Sequence, residues 1–351
     1  MLTTIGVCGY FSTGSSAVID LLKEFDGVNA LDNGEFLLAY YPDGLEDLEY
    51  HLLNPHKIMI SVVAIARFRK FVKFSTFQQM TGGKINKAAD EFLNKIVQFS
   101  FDGFGGLADS YLLPSWKIFA RKCAAKISRG LKCAKIFEFY TKLASHKIEL
   151  SLIPENFDSA AKEFIAESLD SIGYLPSKIN VVNQAFEACD PVKSFKYFDN
   201  PRAILVDRDP RDHYLFTKIF LQPRGLGNSV PCNNIDDYIR YYKLLRSYPE
   251  GLHSRNDVMF INFEELIYDY ENAVKRVADF CEVSEHIHKS EYFKPTHSRS
   301  NSQLFKKYTD FKEDIEKIER ELSEYLFHFE DYPDIEPEDG MFFGSQSRKW
   351  R

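Results

Sequence analysis

The sequence predicts an α/β fold, three layers built on a central parallel sheet with a large helical insertion. The chain opens on an apolar run, Ile5-Gly6-Val7-Cys8, that breaks into a Gly/Ser loop and resumes as the amphipathic segment Ala17 to Phe25. Three further short apolar runs, Lys178 to Asn183, Ala203 to Asp207 and Val258 to Phe263, each end in a polar turn followed by a helical pattern. Buried parallel strands with crossover helices read in this way. Between the two sets, from about Leu45 to Leu169, the pattern is mainly helical, with polar breaks at Thr81-Gly82-Gly83 and around Asp102-Gly103-Phe104-Gly105-Gly106.

Taken in order, the first unit is a strand at Thr4 to Cys8, a loop, and a helix from Ser16 to Phe25. Turn signals follow at Asp32-Asn33-Gly34 and at Tyr41-Pro42-Asp43-Gly44. Residues 45–170 are expected to form the helical insertion, a lid or acceptor region within one α/β domain spanning 1–330. Near its end Ile315, Ile318, Leu322 and Leu326 repeat at spacings of three and four, which marks an amphipathic helix. Residues 331–351, rich in Pro, Asp and Glu, are expected to form a tail.

Composition narrows the function classes. The 351 residues carry a formal net charge of -7, which argues against general nucleic-acid binding. One stretch runs the other way: from Lys117 to Lys147 the basic residues, Lys132 and Lys135 among them, far outnumber Glu138. Such a run could face an anionic acceptor or a membrane surface, or simply be a solvated helix face. The six cysteines make no C-x-x-C pair and the nine histidines no ligand constellation, so free thiols and no metal are expected. No run of ~18 apolar residues and no leader pattern occurs, which predicts a cytoplasmic protein without a membrane span.

The loop Gly9-Tyr10-Phe11-Ser12-Thr13-Gly14-Ser15-Ser16 places backbone N–H groups and hydroxyls at a helix N-terminus, where the dipole favours an anion. Gly9, Gly14 and Ser16 match the two glycines and the final hydroxyl of the Walker pattern, but Ser15 stands where its lysine would be. The loop therefore keeps its donors and lacks the point charge that reaches a γ-phosphate. At the end of a later strand, Asp207-Arg208-Asp209-Pro210-Arg211-Asp212 sets two guanidinium groups at a strand-to-helix junction, a position suited to phosphate recognition or to salt-bridged scaffolding. With the loop, it suggests a nucleotide carrying two separate anionic groups.

These two motifs, followed by Ile261-Asn262-Phe263-Glu264-Glu265-Leu266 and Ser298-Arg299-Ser300-Asn301-Ser302-Gln303-Leu304-Phe305-Lys306-Lys307-Tyr308, resemble the PAPS-dependent sulfotransferase family in type and order. The resemblance spans about Ile5 to Leu326, the helical segment excepted, and implies a P-loop-like fold. It implies that Ser12, Thr13, Gly14, Ser15 and Ser16 hold the 5′-phosphosulfate of PAPS, that Arg208 binds the 3′-phosphate, and that Arg299 and Lys306 close over the donor. The family's serine eight positions after the arginine is Phe216 here, with Thr217 beside it as the substitute. Relatives carry Lys or Arg at about Ser12; Arg299, Lys306, Lys307 or Arg67 would have to replace that cation. The resemblance further makes Glu35 the catalytic base, with His213 as its rival, and leaves Glu264 and Glu265 to structure. It implies no metal, 3′,5′-ADP as product, and a hydroxyl acceptor; the aromatic-rich helical insertion and the lack of a leader or anchor pattern make a carbohydrate or glycolipid the first expectation. Two alternatives stand beside it: a P-loop-like kinase using ATP and Mg²⁺, and a non-catalytic nucleotide-binding protein of the same fold.

Overall fold

β1 (Thr4–Gly9) is buried on both sides, as a central parallel strand must be. It turns through the loop into α1 (Ser15–Leu22), whose Val18, Ile19, Leu21 and Leu22 form one buried stripe. Gly27 then reverses the chain with φ +76° into β2 (Val28–Leu31). The computed structural model describes residues 3–31, 34–54, 58–104, 108–131, 134–226 and 229–335. The chain divides into two units, Met1–Phe36 with Tyr174–Arg351, and Leu37–Gly173.

The second unit runs α2 (Leu45–Leu53), α3 (Ile58–Phe71), α4 (Ser75–Met80), α5 (Ile85–Ile96), β3 (Phe99–Gly103), α6 (Asp109–Leu112), α7 (Ser115–Leu131), α8 (Ala134–Ala144), β4 (His146–Leu150) and α9 (Phe157–Ser171). Its core is aromatic. The rings of Phe68, Phe92 and Phe164 meet at centroid distances of 5.4 to 5.6 Å, and all three are buried. Such offset and edge contacts add about 0.5–1.5 kcal/mol per pair beyond burial. Here the mainly helical expectation needs amending, because β3 and β4 pair antiparallel, Phe99 opposite Leu150. The alternation Lys147-Ile148-Glu149-Leu150 carries the strand period, and buried Glu149 is clasped by Arg69 through Nε at 2.8 Å and Nη2 at 2.9 Å.

The first unit resumes with β5 (Ile179–Asn183), β6 (Pro201–Asp207), α10 (Pro210–Leu215), a π-helical turn at Phe216–Leu221, α11 (Ile235–Leu245) and β7 (Val258–Asn262). It ends in α12 (Glu265–Tyr268), α13 (Tyr270–Cys281), α14 (Pro295–Ser298), α15 (Leu304–Lys307) and α16 (Lys312–Glu321). The sheet order is β2-β5-β1-β6-β7, and every neighbouring pair is parallel. One face, with Ile5, Val7, Val181, Ile204 and Ile261, packs on α1, α12 and α13. On the other, Phe186 lies so close that a Cβ at Gly6 would come within 2.4 Å of its ring, and Phe186 in turn meets Phe195 and Phe198. The chain is thus α/β with helices and turns on both faces of a parallel sheet. Four residues of half-buried β2 carried too little pattern to be read from the sequence.

The chain goes from β1 outward to β2, and from β5 across β1 to β6. The carboxyl end of β1 is therefore the switch point, where an open α/β sheet leaves a crevice for ligands. The turn at Asp32-Asn33, the glycines Gly105 and Gly106, Lys132 and the tail beyond residue 335 lie outside the described residues.

Candidate anion site at the carboxyl end of the sheet

The loop after β1 is held in a fixed shape. The Thr13 N–H donates to the Tyr10 carbonyl at 3.1 Å, and Ser12 and Gly14 take positive φ angles of 70° and 99°. Gly14 could be nothing else: a Cβ there would meet the Phe263 ring at 2.6 Å in a backbone region that side chains rarely adopt. Ser15 and Ser16 begin α1, so their N–H groups have no intrahelical acceptor. Thr13 is buried, Ser12 and Ser15 are half-buried and Ser16 is exposed.

Arg208, at the end of β6, reaches back to this loop. Its Nη1 donates to the Ser12 carbonyl at 3.2 Å and its Nη2 to the Asn301 carbonyl, while the guanidinium carbon lies 4.6 Å from the Phe216 ring centre and 5.2 Å from that of Phe263. It is only 4% exposed, yet it has no ion-pair partner among the described residues. Burial pulls its pKa below the usual guanidinium value, opposed by the charges of Asp212, Glu264 and Asp209. Its Nε has no hydrogen-bond acceptor there, and neither Thr13 Oγ1, Thr217 Oγ1 nor Asn301 Oδ1 has a partner. Buried donors and acceptors left open in this way each cost about 1–3 kcal/mol. An anionic ligand with several acceptor oxygens would satisfy the arginine and both hydroxyls.

Arg211, three residues on, is a different kind of group. It clasps Asp209 through Nε at 3.0 Å and Nη2 at 2.7 Å and reaches Glu319 through Nη1 at 2.9 Å. It is scaffold.

Asp212 joins the late segment to the arginine motif. Its carboxylate accepts from the Gln303 N–H at 2.6 Å and the Leu304 N–H at 2.7 Å, with the Ser302 hydroxyl at 3.3 Å. Burial, then the charge of Asp209, lift its pKa to about 6 despite Arg208 and these two donors. Asp212 stands in the motif, but nothing in the sequence pointed to this role, because its partners lie some ninety residues away. The same holds for Arg246 of the α11 C-terminus, whose Nε donates to Asp207 Oδ2 at 2.7 Å beneath the Tyr10 ring.

The remaining candidates separate clearly. His213 is buried, with Nε2 on the Phe11 carbonyl at 2.8 Å and Nδ1 3.0 Å from the Tyr238 hydroxyl. Burial, with Arg246 and Arg208 nearby, lowers its pKa to about 3. Both its nitrogens are engaged, so it braces the loop. Glu35 is exposed and has no partner among the described residues; the next N–H, of Phe36, donates to Asn183 at the carboxyl end of β5. Arg299 is tied to Asp334 at 2.9 Å, Lys306 and Lys307 are exposed, and Arg67, in the other unit, pairs with Asp43. Glu264 accepts from the Asp209 N–H and Glu265 from the Asn262 N–H, both structural contacts. Two open clefts of about 660 and 940 Å³ lie elsewhere in the first unit, lined by Tyr268 to Glu271 and by Arg202 with Arg255. Neither is lined by the loop or by Arg208.

Among the described residues no helix is long and apolar enough to cross a membrane. No family model matches the chain, and no curated protein matches it. Among solved structures it is similar to the sulfotransferase domain from the curacin biosynthetic pathway, at 13% identity and a TM-score of 0.38 over 93% of this chain and 99% of that one. It is also similar to retinol dehydratase in complex with androsterone and the inactive cofactor PAP, at 11% identity and a TM-score of 0.27 over 89% of this chain and 66% of that one.

Proposed function

We propose that the chain is a sulfotransferase that moves a sulfuryl group from PAPS to a hydroxyl, first a carbohydrate or glycolipid hydroxyl. The observation that carries this reading is Arg208, a buried guanidinium with no ion-paired carboxylate among the described residues, beside a Gly/Ser loop at a helix N-terminus. The open Nε of Arg208 and the orphaned hydroxyls of Thr13 and Thr217 fit a donor with phosphate groups at two positions. In this reading Arg208 and Thr217 hold the 3′-phosphate, and the Thr13, Ser15 and Ser16 hydroxyls with the Gly14 to Ser16 N–H groups hold the 5′ end.

PAPS supplies an activated sulfuryl group whose departure leaves charge on the 3′,5′-bisphosphate. The chain's part is to orient and to stabilise. Backbone N–H groups of a loop already fixed by Gly14 act without reorganisation, which is the economy of a preformed anion hole. Glu35 is placed at the same end of the sheet by the anchoring of Phe36 to β5, and it is assigned as the base that takes the acceptor's proton. Ser12 brings no cation to the loop. Arg299 is committed to Asp334, so Lys306 is the late-segment cation assigned to the leaving phosphate.

Calorimetry with 3′,5′-ADP in EDTA, with ATP as competitor, tests the assignment. Tight, metal-independent binding is expected, weakened about tenfold or more in Arg208→Ala, since a charge-assisted contact is worth about 1.5–3 kcal/mol. Binding of ATP alone, and only with Mg²⁺, would make the chain a kinase instead. Binding of 3′,5′-ADP with equal, negligible turnover in wild type and Glu35→Gln over a broad acceptor panel would make it a nucleotide-binding protein.

A further inference from the structure

α7 presents an apolar stripe outward. Trp116, Phe119, Cys123 and Ile127 follow one another at spacings of three and four, which puts them on one face of the helix. That face is in solvent: Trp116 is 67% exposed, Phe119 69% and Ile127 49%. Along one edge of the stripe stand Lys122, Lys126 and Arg129, all exposed. Arg121 is taken up by Asp109 and Lys142 by Glu138, but no ion pair takes these three among the described residues. On α8, which packs against α7, Phe139 is 61% exposed between Lys135 and Lys142.

We propose that the α7–α8 hairpin is a docking surface for a membrane rich in anionic lipid, an inference independent of the nucleotide site. A solvated helix face needs no row of Trp, Phe and Ile, and contiguous exposed apolar surface of this kind marks an interaction site. The combination with a basic flank selects the partner, because aromatic rings settle at the headgroup level while lysines and arginines meet the anionic phosphates. The balance of the whole chain sharpens the argument. With a net charge of -7 the rest of the protein is repelled by such a surface, and the basic hairpin alone is attracted. A purely polar acidic surface would satisfy the cations and leave the aromatic stripe wet.

The chain has two tryptophans, Trp116 and Trp350, so Trp350→Phe leaves Trp116 as the sole reporter. The full chain with that change is mixed with vesicles of phosphatidylcholine alone, or of phosphatidylcholine and phosphatidylglycerol in roughly equal parts, and followed by sedimentation and Trp116 emission. Binding and a blue shift are expected only with the anionic vesicles. The partition should fall at least tenfold with Lys122→Glu/Lys126→Glu/Arg129→Glu, and likewise with Phe119→Ser/Ile127→Ser, while circular dichroism stays that of the parent. Inorganic phosphate at matched ionic strength should leave binding unchanged. Absence of binding, equal binding by the variants, or displacement by phosphate would overturn the proposal. So would a lipid-free dimer in which Trp116 emission is already blue-shifted, since a second copy would then cover the stripe.

Discussion

The two units bury different things. In Leu37–Gly173 the interior is apolar, a cluster of phenylalanine rings among aliphatic side chains, and its buried carboxylates, Asp109 and Glu149, are both ion-paired to arginine. In the other unit Arg208, Arg211, Arg246, Arg299, Asp212 and Glu264 are all buried around the carboxyl end of the sheet. Burying charge is costly and rarely gains net stability, so a fold built for stability alone resembles Leu37–Gly173. The sheet-bearing unit holds its charges where the sheet's switch point lies. Arg211 and Arg246 are each ion-paired to a carboxylate, and among the described residues Arg208 is not.

The contrast can be broken by substitution. The largest expected effects are on folding. Phe92→Ala should cost about 3–5 kcal/mol by opening a cavity among the rings, and Arg211→Met a similar ~3–5 kcal/mol, because it strands the buried charge of Asp209. Denaturant titration reads both. Arg208→Met should differ from its neighbour, costing the ligand-free protein less than Arg211→Met because no carboxylate is ion-paired to Arg208 among the described residues, while losing 3′,5′-ADP binding. If Arg208→Met unfolds the protein as Arg211→Met does, the two arginines are both scaffold and the contrast fails.

The smallest effect is one of pH. His213 titrates near 3 in the folded chain against an ordinary 6.5, so the unfolded state binds more protons between those values and stability falls as the solution is acidified through that window. Asp212 works in the opposite sense, its folded pKa near 6 against 3.8, so the folded state binds more protons there and stability rises on acidification. The two oppose each other between 3.8 and 6. Melting temperature against pH should therefore be shallow in the parent. In His213→Asn stability should rise on acidification over that span, and in Asp212→Asn the fall should steepen. Parallel curves for all three would show that neither group titrates differently on folding.

Much of the fold was legible because buried parallel strands leave continuous apolar runs. Ile5 to Cys8, Ala203 to Val206 and Val258 to Ile261 are of that kind, whereas half-buried β2 and the exposed hairpin strand β3 are not. The loop after β1 was legible through its glycines. What separates Arg208 from Arg211 was not. Both are followed by an aspartate in the sequence, and only packing decides that Asp209 turns to Arg211 while Asp212 caps the segment at Gln303 and Leu304. The same is true of Arg246, whose partner sits 39 residues earlier.

The strand order also governs how the chain assembles. β1 pairs with β5 and β6, β2 with β5, and β6 with β7, so none of the sheet's ladders joins strands on the same side of the insertion until β6 and β7 exist. During synthesis from the N-terminus, β1 and β2 must wait, unpaired, while the whole of Leu37–Gly173 is made. Contacts this distant in sequence form slowly, and domains tend to fold as units in order of emergence. The unit Leu37–Gly173 is one continuous stretch of chain, complete by residue 173. It is expected to be native first, with β1 and β2 left unpaired until the second half of the chain arrives.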